Sequence, residues 1–215
     1  MPTKKIVIPS ILENDFTQFA ARLKTIENTA PVVEIDVMDG LFVSNKSFED
    51  VEKINSLNSP TQFQLHLMVE NPVQEIQKWK DTKNISRIIF QIESQGDPQE
   101  CINAIRGLCS QVGICIKPET PLSTVEPYLN LIDMVMFMLV TPGQQGGQLI
   151  PEVGEKIKEF VALKNRPLCA TDGGITKENI ALVKSWGVEI FGIGSKIIKS
   201  DNPAQTFQEF TKLIS

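Results

Sequence analysis

The chain has 215 residues, of which 41% are hydrophobic and 22% charged, a globular composition that excludes disordered, collagen-like and membrane-spanning proteins. A formal net charge of -5, without a cluster of lysine and arginine, argues against nucleic acid or an anionic membrane as the main partner. The length favours one large domain over two small ones.

Short apolar runs alternate with longer amphipathic stretches, which predicts parallel strands connected by crossover helices. Eight runs are predicted to be strands: Lys5 to Ile8, Val32 to Asp36, Gln62 to Met68, Arg87 to Ile92, Val112 to Ile116, Met134 to Val140, Pro167 to Thr171 and Glu189 to Ile193. Helices are expected to start near Phe16, Phe48, Pro72, Pro98, Ser123, Pro151, Thr176 and Asn202. The clearest starts carry a capping side chain before proline, at Asn71-Pro72, Asp97-Pro98 and Asn202-Pro203.

Eight strand-then-helix units without a linker predict an α/β fold in which residues 1–215 form a single (β/α)8 TIM barrel. The main alternative is an open doubly wound sheet. That fold would require a GxGxxG loop after its first strand, whereas this chain has Ile8-Pro9-Ser10-Ile11-Leu12 there.

The location expected from the sequence is cytoplasmic. The N-terminal residues lead directly into an apolar run that is too short for a signal peptide. The longest apolar run, Met134 to Val140, predicts a buried strand, because a membrane-spanning helix needs about 20 apolar residues. The cysteines lack CxxC spacing, so we expect reduced thiols with structural roles at Cys101, Cys109, Cys115 and Cys169.

Polar residues stand in several of the apolar runs, where a barrel would place functional side chains at the carboxyl ends of its strands. The second run carries Glu34 and Asp36, the third carries His66, the one histidine in the sequence, and Asp172 follows the seventh. Strand side chains alternate between faces, so Glu34 and Asp36 point the same way. A lone histidine on an apolar strand is more often a core residue than a ligand. Its convergence with three acids favours a catalytic or metal site here.

Glycine-rich loops follow the last three predicted strands. They are Gly143-Gln144-Gln145-Gly146-Gly147, Asp172-Gly173-Gly174 and Gly194-Ser195. Each alone is consistent with a tight turn. Three such loops after neighbouring strands predict a phosphate site, because glycine lets backbone N–H groups approach an anion closely.

Several of these segments together resemble the ribulose-phosphate 3-epimerase family. They are Ile8-Pro9-Ser10-Ile11-Leu12, Glu34-Ile35-Asp36-Val37-Met38-Asp39-Gly40-Leu41-Phe42-Val43, Leu65-His66-Leu67-Met68, Thr141-Pro142-Gly143, Ile150-Pro151-Glu152, Asp172-Gly173-Gly174 and Gly194-Ser195. The resemblance extends in order and spacing from about residue 5 to about residue 203. It implies a TIM barrel of the ribulose-phosphate-binding type that interconverts ribulose 5-phosphate and xylulose 5-phosphate through a metal-stabilised enediolate.

The resemblance also implies roles for individual residues. Asp36 and Asp172 would be the two acid/base groups. A divalent metal ion (Zn, Fe, Mn, Co or Mg) would be held by Glu34, Asp36, His66 and Asp172. Substrate contacts would come from Ser10, His66, the apolar cap Met38, Met68 and Met138, and the phosphate-site residues Gly143, Gly146, Gly173, Gly174, Gly194 and Ser195. The expected partner is a small sugar phosphate, and the family resemblance suggests a homo-oligomer.

The chain departs from the family pattern at several positions. Glu34 stands where the family has a metal-binding histidine, and Gln91 replaces another common histidine. Gln144 and Gln145 stand where the phosphate loop usually has an aromatic residue and a glycine. A glutamate ligand would make the donor set richer in oxygen and shift its preference toward Mn or Mg. Alternatively, Glu34 is protonated or hydrogen-bonded, and no metal binds.

Three other functions stay open on the sequence. The same proton chemistry would suit a longer ketose phosphate such as allulose 6-phosphate. A catalytically silent sugar-phosphate-binding homologue would also retain most of these motifs. A phosphosugar decarboxylase on a related barrel is disfavoured, because the expected DxKxxD signature is absent.

Overall fold

The computed structural model describes residues 5–48, 50–109, 111–143 and 146–215. These residues form eight strands that close into a barrel in sequence order, with β1 pairing with both β2 and β8 and every pairing parallel. The strands are β1 (Ile6–Ile11), β2 (Val32–Met38), β3 (Gln62–Met68), β4 (Ile85–Gln91), β5 (Gln111–Ile116), β6 (Met134–Met138), β7 (Leu168–Asp172) and β8 (Ile190–Ile193). The predicted TIM barrel is confirmed.

Helices connect the strands and surround the barrel: α1 (Phe16–Lys24), α2 (Val51–Ser56), α3 (Pro72–Lys78), α4 (Pro98–Arg106), α5 (Val153–Ala162), α6 (Ile180–Ser185), α7 (Ser195–Ile198) and α8 (Pro203–Ile214). The three predicted proline starts are confirmed. In each, the side chain of Asn71, Asp97 or Asn202 accepts a hydrogen bond from a backbone N–H in the first helical turn. No helix among the described residues is long and apolar enough to span a membrane.

The predicted helix near Ser123 is wrong. Two short 3-10 turns, Leu122–Thr124 and Glu126–Tyr128, take its place. Pro127 explains the difference, because in an α-helix its ring would clash with the carbonyl of Ser123 and it has no N–H to donate. The short helix α7, which directly follows β8, was not predicted.

Two further helices begin later than the sequence suggested. Helix α2 begins at Val51, where Asp50 accepts a hydrogen bond from the backbone N–H of Lys53. Near Thr176, the side chain of Asn179 accepts from the backbone N–H of Thr176, and helix α6 begins only at Ile180. The capping bond of Asp50 marks the start of α2, whereas the side chain of Asn179 bonds to the backbone that precedes α6 and does not cap that helix.

Apolar residues pack in two layers. The larger cluster lies between the strands and the surrounding helices. A smaller cluster fills the inside of the barrel and consists of Ile8, Ile89, Cys115, Met134, Met136, Met138, Val140, Ala170 and Ile190. The barrel interior is therefore a packed core, and the cavity that can hold a ligand lies at its carboxyl end.

Helix α5 packs closely against the end of helix α6 through Gly154. A Cβ atom added at Gly154 would lie 2.5 Å from the indole ring of Trp186. We expect Gly154→Ala to lower the free energy of unfolding by about 1–3 kcal/mol, because the rigid ring can move aside only with its helix. Urea unfolding would measure this. The control is Gly107→Ala, where the nearest atom would lie 3.4 Å from the added Cβ and little change is expected. Equal stability of the two variants would contradict the prediction.

Candidate active site

Strand register brings the predicted acidic residues and the histidine together. Asp36 and His66 are register partners on β2 and β3, and Asp172 ends β7 across the barrel. Glu34 precedes Asp36 by two residues and therefore points to the same face. All four side chains are buried, and one donor atom from each lies within 4.8 Å of the others. The expected convergence is confirmed.

Three buried polar atoms of these residues have no hydrogen bond partner among the described residues: Glu34 Oε1, Asp36 Oδ1 and His66 Nδ1. His66 Nδ1 lies 3.3 Å from Asp36 Oδ1 and 3.8 Å from Asp172 Oδ2, but its N–H direction does not align with either oxygen. Buried polar atoms without partners are costly, and a divalent cation would satisfy all of them at once. The cluster could bind a divalent metal ion.

The second oxygen of Glu34 is already engaged. Gln64 Nε2 donates to Glu34 Oε2 at 2.5 Å, and Arg87 donates in turn to Gln64 Oε1 at 2.7 Å. The sequence reasoning did not select Gln64 or Arg87. Both residues could have been predicted to point into the barrel, because strand side chains alternate between two faces. Gln64 shares a face with His66, and Arg87 shares one with Gln91.

Gln91, which replaces a family histidine, contacts the ring of His66. Gln91 Nε2 lies 2.9 Å from His66 Nε2, and Gln91 Oε1 has no partner among the described residues. In this orientation, a neutral ring accepts at Nε2 and carries its proton on Nδ1. Turning the amide over would bring Oε1 to the ring, move the proton to Nε2 and free Nδ1 to bind a cation. The orientation of the Gln91 amide and the tautomer of His66 are therefore linked.

The crowded charges alter the protonation of the site. Burial, and then the charge of Asp36, raise the pKa of Asp172 to about 6. Burial, and then Asp172 and Asp36, raise the pKa of Glu34 well above its usual range. Burial lowers the pKa of His66, but neighbouring Cys115 and Asp36 raise it well above its ordinary value. Without a cation, the cluster therefore retains protons that metal binding would release.

A cavity of about 330 Å³ opens above this cluster. Its walls include both predicted acid/base groups, Asp36 and Asp172. They also include most of the residues predicted to contact substrate: Ser10, Met38, Met68, Met138, Gly143, Gly146, Gly173, Gly174, Gly194 and Ser195. Glu34 and His66 do not line this cavity, and both are completely buried. The sequence reasoning missed Thr176, Asn179 and Lys196, which also line it.

The three glycine loops meet on one side of the cavity, as the sequence predicted. Gly173 has a φ of 89°, and a Cβ atom there would lie 2.5 Å from Val140. Only glycine fits at this position, because both the backbone conformation and the space exclude a side chain. Gln144 and Gln145, the two departures in the first loop, lie outside the described residues.

The fold and cluster define a (β/α)8-barrel enzyme with a buried group of acids and a histidine that could bind a divalent metal ion. Residues 6–198 match the model of the ribulose-phosphate 3 epimerase family. The chain is 32% identical over 208 residues to a ribulose-phosphate 3-epimerase of Mycobacterium bovis, covering 93% of this chain and 88% of that protein. It is 32% identical over 210 residues to the Aquifex aeolicus enzyme of the same name, covering 94% of each.

The chain belongs to the ribulose-phosphate 3-epimerase family, and it is an epimerase of the isomerase class. Solved structures share the fold at lower identity. The 3-hexulose-6-phosphate synthase of Salmonella typhimurium has a TM-score of 0.74 at 16% identity, covering 98% of both chains. KGPDC from Streptococcus mutans, solved as a complex with a ligand, has a TM-score of 0.70 at 12% identity, covering 98% of this chain and 97% of that one.

The raised pKa of Asp172 predicts a pH-dependent effect of Asp172→Asn on the metal-free protein. Its pKa is about 6 in the fold against 3.8 ordinarily, so ionising the buried carboxyl opposes folding. Stability therefore falls as the pH rises from about 4 to about 6 and stays lower above. We expect the variant to be more stable than the parent by on the order of 2 kcal/mol at pH 8 and by little at pH 4.

Denaturant unfolding at both pH values, with a chelator present, would measure the difference. The control is Asp97→Asn at the exposed start of α4, where asparagine still caps the helix. An Asp172→Asn effect that is equal at both pH values would contradict the prediction.

Proposed function

We propose that this protein interconverts D-ribulose 5-phosphate and D-xylulose 5-phosphate by moving a proton at carbon 3. The observation that carries the proposal is the placement of Asp36 and Asp172 in the wall of one cavity, on strands three positions apart around the barrel. Epimerisation next to a ketone requires removal of a proton from one face and return of a proton to the other. Two carboxyl groups on different sides of the substrate supply both steps.

The two aspartates exchange roles with the direction of the reaction. One carboxylate accepts the carbon-bound proton, which generates an enediolate, while the other carboxyl group donates a proton to the opposite face.

A divalent cation would be held by Glu34, Asp36, His66 and Asp172. When bound, it would supply Lewis-acid stabilisation of the negative charge on the substrate oxygens. The three unpartnered donor atoms support this proposal. The donor set is rich in oxygen, which favours Mn or Mg over Zn.

Met38, Met68 and Met138 are almost completely buried and line the cavity. Met38 and Met68 pack together with Leu12 and Val43 in a small apolar cluster at the mouth. Thioethers carry no exchangeable proton, so in our proposal they exclude water without supplying a competing proton.

The phosphate group of the substrate would bind at the glycine loops. Gly143, Gly146, Gly173, Gly174, Gly194 and Ser195 line the same cavity as the two aspartates. Backbone N–H groups at such loops suit an anion, and Lys196 adds a positive charge to the wall. Anchoring the phosphate would orient the carbon skeleton over the acids.

A cytoplasmic location and a homo-oligomeric assembly remain predictions of the sequence. A longer ketose phosphate would need only a different fit of the loops, and a silent sugar-phosphate binder would retain the cavity.

Metal removal should lower the activity strongly. We expect chelation to reduce conversion of ribulose 5-phosphate by at least about tenfold, because the developing charge loses its stabilisation. Restoring Mn²⁺ or Mg²⁺ should recover more activity than Zn²⁺. A coupled assay with each metal, including Co²⁺ and Fe²⁺, would measure this. Full activity after chelation would contradict the metal site.

Substitution of either acid should stop proton transfer without unfolding the protein. We expect Asp36→Asn and Asp172→Asn each to lower turnover by about 10³-fold or more, because an amide neither accepts nor donates this proton. The readout is solvent deuterium at carbon 3 of the recovered sugar phosphate, with Asp97→Asn as the active control. Near-normal rates in either variant would contradict the two-acid mechanism. Tight sugar-phosphate binding by the parent protein without deuterium uptake would indicate a silent binder.

A further inference from the structure

A polar ladder crosses the barrel interior next to the acidic cluster. Glu34, Gln64, Arg87 and Gln111 are consecutive register partners on β2, β3, β4 and β5. Hydrogen bonds join them in the same order, from Gln64 to Glu34 at 2.5 Å and from Arg87 to Gln64 at 2.7 Å and Gln111 at 2.6 Å. Only Glu34 belongs to the buried group that could bind a divalent metal ion.

Arg87 is an unusual residue for this position. It is 7% exposed, and the interior of such barrels is filled mainly by branched apolar side chains. A buried guanidinium stabilises a fold poorly, since apolar residues of similar size often serve as well or better. Packing therefore does not explain why an arginine stands here and is linked through Gln64 to Glu34.

Charge balance supplies one reason. Glu34, Asp36 and Asp172 carry three negative charges when ionised, so a divalent cation leaves the cluster one unit negative. Arginine stays protonated in proteins, and Arg87 brings these groups to neutrality. A neutral histidine at position 34 would make this positive charge unnecessary.

Geometry supplies a second reason. Glutamate has three side-chain torsions and would not keep one orientation unaided. Gln64 engages Oε2, which leaves Oε1 without a partner among the described residues and available to bind a cation. Arg87 in turn holds the amide of Gln64, so that its NH₂ group faces Glu34.

We propose that Arg87 and Gln64 are positioning residues that make Glu34 a working metal ligand, by orienting its carboxylate and balancing its charge. This inference rests on the proposed metal site. Neither residue touches the substrate cavity, and both act through Glu34.

A double-mutant cycle tests the proposal by Mn²⁺ affinity alone, without an activity assay. Calorimetric titration of Mn²⁺ into metal-free protein would compare the parent, Arg87→Met, Glu34→His and the double variant. We expect Arg87→Met to weaken Mn²⁺ binding by about 10–100-fold in the parent chain. In the Glu34→His background, the same change should weaken it by less than about threefold, because a neutral ligand needs no balancing cation.

The control is Arg166→Met, which removes a different, partly buried arginine whose partner is the carboxylate of Glu189. It should leave Mn²⁺ affinity unchanged, even if the free energy of unfolding falls. An equal loss of affinity from Arg87→Met in both backgrounds, or none in either, would overturn the positioning role while leaving the metal site intact. A parent protein that binds no Mn²⁺ would overturn the metal site and the inference together.

Two further variants keep the test decisive if Arg87→Met does not fold. Arg87→Lys retains the positive charge but not the forked donors, so it should weaken Mn²⁺ binding less than Arg87→Met does. Gln64→Met keeps the length of the side chain but removes the donor to Glu34, and should weaken binding by about tenfold. Unchanged affinity in Gln64→Met would overturn the proposal.

Discussion

The exclusion of water from three neighbouring carboxylates is the constraint on which the rest of this site depends. Glu34, Asp36 and Asp172 are all at least 90% buried, and a donor atom of each lies within 4.8 Å of the others. Such carboxylates cannot all stay ionised unless a cation or hydrogen bond donors stabilise their charges, and otherwise some of them bind protons. The raised pKa values of Glu34 and Asp172, the histidine between the acids and the amides behind them are responses to that one constraint.

The interior, the mouth, the strands and the loops of the barrel each contribute differently to the site. The packed interior supports the cluster from below, and the methionine side chains shield it at the mouth. Strands β2 and β7 bring the two aspartates to opposite parts of the ring, and the loops after β6, β7 and β8 supply the glycines. A change in one loop can therefore alter the recognised sugar phosphate without disturbing the acids.

The replacement of a family histidine by Glu34 is matched by its surroundings. Gln64 and Arg87 meet the glutamate with a donor and a positive charge, and Gln91 contacts His66 where the family commonly has histidine. Glu34 therefore departs from the motif together with the residues around it. The motif shows which groups are expected to react, whereas residues on the neighbouring strands determine whether a glutamate is accommodated at position 34.

Local patterns were enough to predict the strands, the helix starts with caps, the barrel and the convergence of Glu34, Asp36, His66 and Asp172, because alternation and turn chemistry act over a few residues. The missed features depend on contacts between distant segments. The ladder from Glu34 to Arg87 exists only because barrel closure sets the register of β2, β3 and β4, and the depth of His66 follows from the same register. Pairings across strands cannot be deduced from spacing along one strand, since the register is decided by the packing of the whole barrel.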